Sequence, residues 1–238
     1  MASKLNQGVI QTTIKHYNQY PIYILKQKYG KITGSPFPQG LQAMSNKIIL
    51  ASTSPFRKEI LLKIITGFTT DSPNIDESRI ANEQIEDYVK RLAVEKARVI
   101  AQKHNSGLVI GSDQSAAIAG EDIIIGKPEN HETAVKQLLN SSGKTVTFYT
   151  SLCLYDAADD SYQVDIDLFH VSFRNLNQEQ IENYLHKEQP YNCAGSFKSE
   201  GMGVALFSKM EGSDPNSLIG LPLIKLIDMF KNKGIEVI

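Results

Sequence analysis

The chain has 238 residues, 41% hydrophobic and 21% charged, with a formal net charge of −1, which suits an ordinary globular protein with a substantial core. A near-neutral balance argues against a nucleic-acid binder driven by backbone electrostatics, and no run of about 18 apolar residues is present to span a membrane. The two cysteines, Cys153 and Cys193, fit no metal spacing and no disulfide framework. Buried or half-buried thiols in a reducing compartment are expected, with the cytoplasm as the setting.

Residues 1–43 differ from the rest. They carry five lysines (Lys4, Lys15, Lys26, Lys28, Lys31) and no acid, so the 25 basic side chains of the whole leave 20 against 26 acidic ones in the remainder. The segment shows no sustained period, ends in a breaker run at 34–40, and lacks the arginines and apolar stretch of a targeting leader. It reads as an N-terminal extension, disordered or loosely docked, ahead of a folded domain over 44–238. Within that domain, strand signals at 47–51, 108–112, 145–155, 163–174 and 204–208 alternate with helix signals at 55–65, 84–103, 131–140, 178–186 and 218–233. Such alternation predicts a layered α/β domain. The long strands at 145–155 and 163–174 share a short polar connection, so they are antiparallel and the sheet is mixed.

Several residues do not fit a purely architectural reading. The apolar strand at 48–51 runs into Ser52-Thr53-Ser54-Pro55-Phe56-Arg57, with Ser54 as N-cap and Pro55 at the first helical position. Hydroxyls, free N–H groups and the helix dipole favour an anion there. Arg57 in the first turn is unwelcome unless something negative is bound, so the junction reads as a phosphate site; the alternative is a well-capped helix with a solvated arginine. Lys96 lies on the apolar stripe of the 84–103 helix, four residues after Leu92 and four before Ile100. It either snorkels to water or points into a polar cleft.

The short apolar strand at 108–112 ends in Asp113-Gln114, a carboxylate at a strand end, where crevices open in α/β folds. Glu77, ahead of the long helix, offers a second carboxylate. If the two meet, Glu77 and Asp113 would bind a hard cation, Mg²⁺ or Mn²⁺. Lys127 is fixed between Gly126 and Pro128. Lys198 falls in the loop 193–203, whose three glycines let backbone approach a ligand. The segment 212–223 is a loop that opens a helix and closes one wall of the cleft.

Together and in this order, these segments resemble the Maf family of nucleotide pyrophosphatases, from about residue 47 to 233. The resemblance rests on Ser52-Thr53-Ser54-Pro55-Phe56-Arg57, Asp76-Glu77, Glu95-Lys96-Ala97, Gly111-Ser112-Asp113-Gln114, Gly126-Lys127-Pro128, the loop 191–203 and Gly220-Leu221-Pro222-Leu223. It implies an elongated mixed β-sheet with flanking helices and two lobes around a central cleft, similar to the inosine triphosphatase (Ham1-like) fold. The implied reaction is hydrolysis of a nucleoside triphosphate to the monophosphate and pyrophosphate with a divalent cation. The family's branch acting on dTTP and UTP has Arg, Thr and Gln where this chain has Phe56, Gln114 and Glu200. Those three resemble the 7-methyl-GTP pyrophosphatase branch instead, with the departure that this branch often carries Trp at the place of Phe56. The chemistry agrees. N7 methylation makes guanine cationic, an aromatic face attracts a cation, and the Glu200 carboxylate can accept from the guanine N1–H and N2–H₂ edge while opposing the ring's charge.

The resemblance makes Asp113 the general base, with Glu77 and Asp113 holding the metal. Arg57, Lys96, Lys127 and Lys198 would offset phosphate charge, with Ser52 and Ser54 as phosphate contacts. Expected partners are a small nucleotide, neither nucleic acid nor membrane, and a second copy in a homodimer. Competing expectations are a dTTP/UTP pyrophosphatase, an inosine-triphosphatase-like enzyme and a non-enzymatic nucleotide sensor that regulates septum formation.

Overall fold

A computed structural model describes residues 47–121 and 123–238; the extension expected at 1–43 lies outside them. Four uninterrupted apolar residues make β1 (Ile48–Ala51), buried along its whole length, as an inner parallel strand must be. It pairs in parallel with β2 (Phe68–Asp71) on one side and with β3 (Leu108–Ile118) on the other. Helix α1 (Pro55–Leu61) makes the first crossover and α2 (Ile85–His104) the second. From β3 onward the sheet is antiparallel. β3 pairs with β5 (Thr145–Asp156), β5 with β6 (Ser161–Phe173), and β6 with β7 (Phe207–Gly212). The strand order is β2-β1-β3-β5-β6-β7, and the two-residue β4 (Ile124–Ile125) pairs with β3.

The remaining helices are α3 (His131–Ser141), α4 (Gln178–Glu188), α5 (Pro215–Ile219) and α6 (Leu223–Asn232). Asn130 caps α3, and Asn177 with Gln180 forms a reciprocal capping box on α4, satisfying N–H groups that the first turn leaves free.

The long strands carry two lobes. At one end Leu108, Ile110, Leu152 and Leu154 pack with α1 and α6 residues, while Val109, Cys153 and Tyr155 face Ala93, Ala97 and Ile100 of α2. At the other end Ala116, Ile118, Val146 and Phe148 pack with α3 and α4 residues and with Phe197 and Phe207. Between the lobes the pairing of β3 is interrupted on one edge. β1 is in register with Leu108, Val109 and Ile110, β4 with Ala116 and Ala117, and residues 111–115 have no strand partner there among the described residues.

The boundaries differ from the sequence reading at particular points. The strand expected to end before Asp113 continues to Ile118, so Asp113 sits in mid-strand and gains access from the gap in pairing. The single helix expected at 218–233 is two, α5 and α6, divided by Gly220 at φ 122°, a backbone conformation open to glycine, and by Pro222. The strand expected at 204–208 begins only at Phe207, after a 3-10 turn at Met202–Leu206, and continues to Gly212. β7 is an exposed, polar edge strand with little apolar alternation. The same absence hides β2, and two residues are too few to signal β4.

Candidate functional site

The interrupted stretch of β3 forms the floor of a cleft of about 730 Å³. Strand alternation sends Val109, Gly111 and Asp113 to the α2 face. Gly111 is what brings α2 close: a Cβ there would stand 2.1 Å from the Ala93 carbonyl oxygen. One turn along from Ala93, Lys96 reaches across. Its Nζ lies 2.6 Å from Asp113 Oδ1 and 2.9 Å from Glu77 Oε1. Lys96 is only 6% exposed and Asp113 7%, whereas the Glu77 side chain is 56% exposed. Lys96 therefore joins a buried carboxylate to one open to solvent.

Neighbouring polar groups fix this arrangement. Ser151 Oγ donates to the Val89 carbonyl at 2.6 Å and accepts from the Asp113 N–H at 3.3 Å, tying the α2 backbone to β3. On the opposite face Ser112 Oγ lies 2.8 Å from the Ser151 carbonyl and 2.9 Å from that of Gly220. Arg57 Nε donates to the same Gly220 carbonyl at 2.9 Å. Burial pushes the Arg57 guanidinium down from its ordinary value, opposed by the charges of Asp113 and then Glu77. The segment that carries Glu77 is anchored by Arg91, whose guanidinium holds Glu83 at 2.7 and 2.9 Å and the Ser78 carbonyl at 3.1 Å. The Tyr88 hydroxyl donates to the Glu77 carbonyl at 2.8 Å.

All eleven residues singled out in the sequence (Ser52, Ser54, Phe56, Arg57, Glu77, Lys96, Asp113, Gln114, Lys127, Lys198 and Glu200) line this one cleft. Their settings differ. Ser54 N donates to Ser52 Oγ at 3.1 Å, and Arg57 N to Ser54 Oγ at 3.4 Å, so both hydroxyls accept internally and keep a proton to donate outward. Gln114 Nε2 is held by Thr150 Oγ1 at 2.9 Å and the Ser217 carbonyl at 2.8 Å, which makes it a brace for α5 as well as a lining residue. Lys198 Nζ is bound at 2.9 Å to the Glu188 carbonyl and at 3.3 Å to its carboxylate. Lys127 is exposed, with no carboxylate partner among the described residues.

The loop glycines serve the loop itself. A Cβ at Gly203 would meet the Lys198 carbonyl at 2.2 Å, and one at Gly201 the Glu188 carboxylate at 2.8 Å.

Phe148, Phe197, Pro190 and Asn192 complete the cleft wall and were not singled out. Ser151 and Arg91 also escaped notice, although Thr150-Ser151 inside a buried strand was a legible signal. Glu77 and Asp113 supply an all-oxygen donor pair whose carboxylates meet at one ammonium, a set compatible with Mg²⁺ or Mn²⁺.

Fold and site together define an α/β protein with an inter-lobe cleft in which acidic and basic groups converge on the open edge of a central strand. The family model described as Maf-like protein matches residues 47–233, and the chain belongs to that family. A protein of Colwellia psychrerythraea named 7-methyl-GTP pyrophosphatase is 52% identical over 191 residues, 80% of this chain and 94% of the relative. Proteins of the same name from Vibrio parahaemolyticus (52% identical; 81% of this chain, 98% of the relative) and Methylobacillus flagellatus (49%; 80% and 98%) are similar over the same extent. Among solved structures, that of the Staphylococcus aureus Ham1 protein aligns over 79% of this chain and 100% of its own, at 15% identity and a TM-score of 0.47. No helix among the described residues is long and apolar enough to cross a membrane.

Proposed function

We propose that this chain hydrolyses 7-methyl-GTP to 7-methyl-GMP and pyrophosphate, clearing a modified nucleotide from the cytoplasmic pool. The observation that carries the reading is the Asp113–Lys96–Glu77 chain in a cleft that also holds Phe56 and Glu200, in a family whose relatives at about 50% identity bear that activity in their names.

In this reading Ser52, Ser54, Arg57 and Lys127 hold the triphosphate by hydroxyl contacts and charge. Asp113 takes the proton of the attacking water, and Lys96 keeps that carboxylate in one orientation. Glu77 and Asp113 would hold the divalent cation, which supplies further charge neutralisation at the phosphate oxygens. Phe56 offers its ring face to the cationic base and Glu200 its carboxylate to the guanine edge. Uracil and thymine have one ring N–H and no positive charge, so they satisfy neither group.

The test is pyrophosphate release by the full chain with Mg²⁺ or Mn²⁺, comparing 7-methyl-GTP with GTP, UTP, dTTP and ITP. Selective turnover of 7-methyl-GTP is expected. Preference for UTP or dTTP would refute the roles given to Phe56 and Glu200, preference for ITP would refute the methylated-base reading, and binding without turnover of any would refute the enzyme.

A further inference from the structure

Outside the cleft, α3 and α4 bring together three side chains of metal-binding type. His131 is the first residue of α3, and Glu182 and His186 are one turn apart on α4. Glu182 Oε2 lies 2.7 Å from His131 Nε2 and 3.8 Å from His186 Nε2, and one ligand atom from each residue falls within 4.8 Å of the others. A tetrahedral zinc ion with bonds of about 2.0–2.1 Å separates its ligand atoms by about 3.3 Å, between the two distances seen here. The imidazole rings are nearly parallel, with centroids 5.2 Å apart and planes inclined by 23°, so both turn an edge nitrogen toward the same carboxylate.

A second feature points the same way. His131 Nδ1 lies 2.9 Å from the Tyr191 hydroxyl oxygen. With that oxygen accepting, Nδ1 carries the proton and Nε2 is the nitrogen left for a cation, the outer hydrogen bond that metal-binding imidazoles make. Two histidines and one glutamate are a zinc donor set. None of the three lines the cleft, yet Tyr191 stands between Pro190 and Asn192, which do. Its carbonyl also accepts from Glu129 N at 3.0 Å.

We propose that His131, Glu182 and His186 form a binding site for a zinc-class transition ion, separate from the cleft, that fastens α3 to α4 behind the Tyr191 segment of the cleft wall. The ion sits between His131 Nε2 and Glu182 Oε2, which face each other at 2.7 Å.

The experiment is titration of the full chain, freed of metal by a chelator and kept in excess Mg²⁺, with Zn²⁺ against a chromophoric indicator. One tight equivalent is expected, weakened by about tenfold or more in His131→Gln and in His186→Gln and unchanged in Cys193→Ser. Co²⁺ in its place should give a visible d–d spectrum that both histidine changes abolish. The His186 side chain is 72% exposed, so His186→Gln reads binding without threatening the fold. Zinc uptake no tighter than that of Mg²⁺, uptake indifferent to both histidine changes, or uptake lost in Cys193→Ser would overturn the proposal. No nucleotide enters the assay, so its outcome is independent of the hydrolysis reading.

Discussion

Lys96 is a cation with two anionic partners of different exposure, and its removal has a computable sense. Lys96→Met leaves the buried Asp113 carboxylate beside Glu77 with no ammonium between them. A loss of about 3 kcal/mol in unfolding free energy is expected, measurable by urea titration, together with loss of turnover. Asp113→Asn keeps the shape but removes the proton acceptor. Under the proposed mechanism kcat falls by about 100-fold or more in the pyrophosphate assay while the nucleotide still binds. The two thiols report on the site by contrast. Burial pushes Cys153 up to about 12, so it stays an unreactive thiol. Cys193, in the cleft wall, is also raised, first by desolvation and then by Glu200, and is lowered by Lys198 and Lys127. Iodoacetamide should label Cys193 slowly and Cys153 only after unfolding, and bound nucleotide should protect Cys193, as peptide mass spectrometry of the labelled chain would show.

At the scale of elements, two packing contacts set the cleft's dimensions. Gly111→Ala drives a Cβ into the Ala93 carbonyl and pushes α2, with Lys96, away from β3. Activity and melting temperature should both fall, whereas a substitution that acted only on chemistry would leave the melting temperature alone. On the other wall, Glu188 accepts from Met202 N at 2.9 Å and pairs with Lys198, holding the loop that carries Glu200. The Met202 N–H bond, ahead of Lys198, holds Glu188 below its ordinary value of 4.5. A depressed folded value means the stabilisation is present above pH 4.5 and is lost as pH falls through the folded value. Glu188→Gln should therefore flatten stability against pH in the acid range, seen in melting temperatures between pH 3 and 6. These elements were unevenly legible. The α2 stripe, the capped start of α1 and the paired long strands follow from periodicity and turn chemistry. β2 and β7 do not, because edge strands with exposed polar faces carry no alternating pattern, and the α5–α6 break is a matter of one glycine's backbone angle.

The described residues form two lobes on one pair of continuous strands. β3 and β5 contribute Leu108, Ile110 and Leu152 to one core and Ala116, Ile118 and Phe148 to another. Such sharing predicts a single cooperative unfolding of the described domain, with far-UV circular dichroism and tyrosine fluorescence giving coincident transitions. Leu152→Ala, at a fully buried position, should lower stability by about 2–5 kcal/mol in both signals equally. The convergence of eleven side chains from α1, α2, β3 and four loops was visible in the sequence only through the resemblance of ordered motifs, since spacing alone does not bring Glu77 to Asp113. The unpaired stretch at 111–115 also bears on solubility. Bare strand edges commonly recruit strands from other chains, and proteins shield them with charge or shortness. Here the bare edge is recessed between β1 and β4 and begins beside a buried ion pair, so a nucleotide fits where a β-strand from another chain would be stopped at both ends.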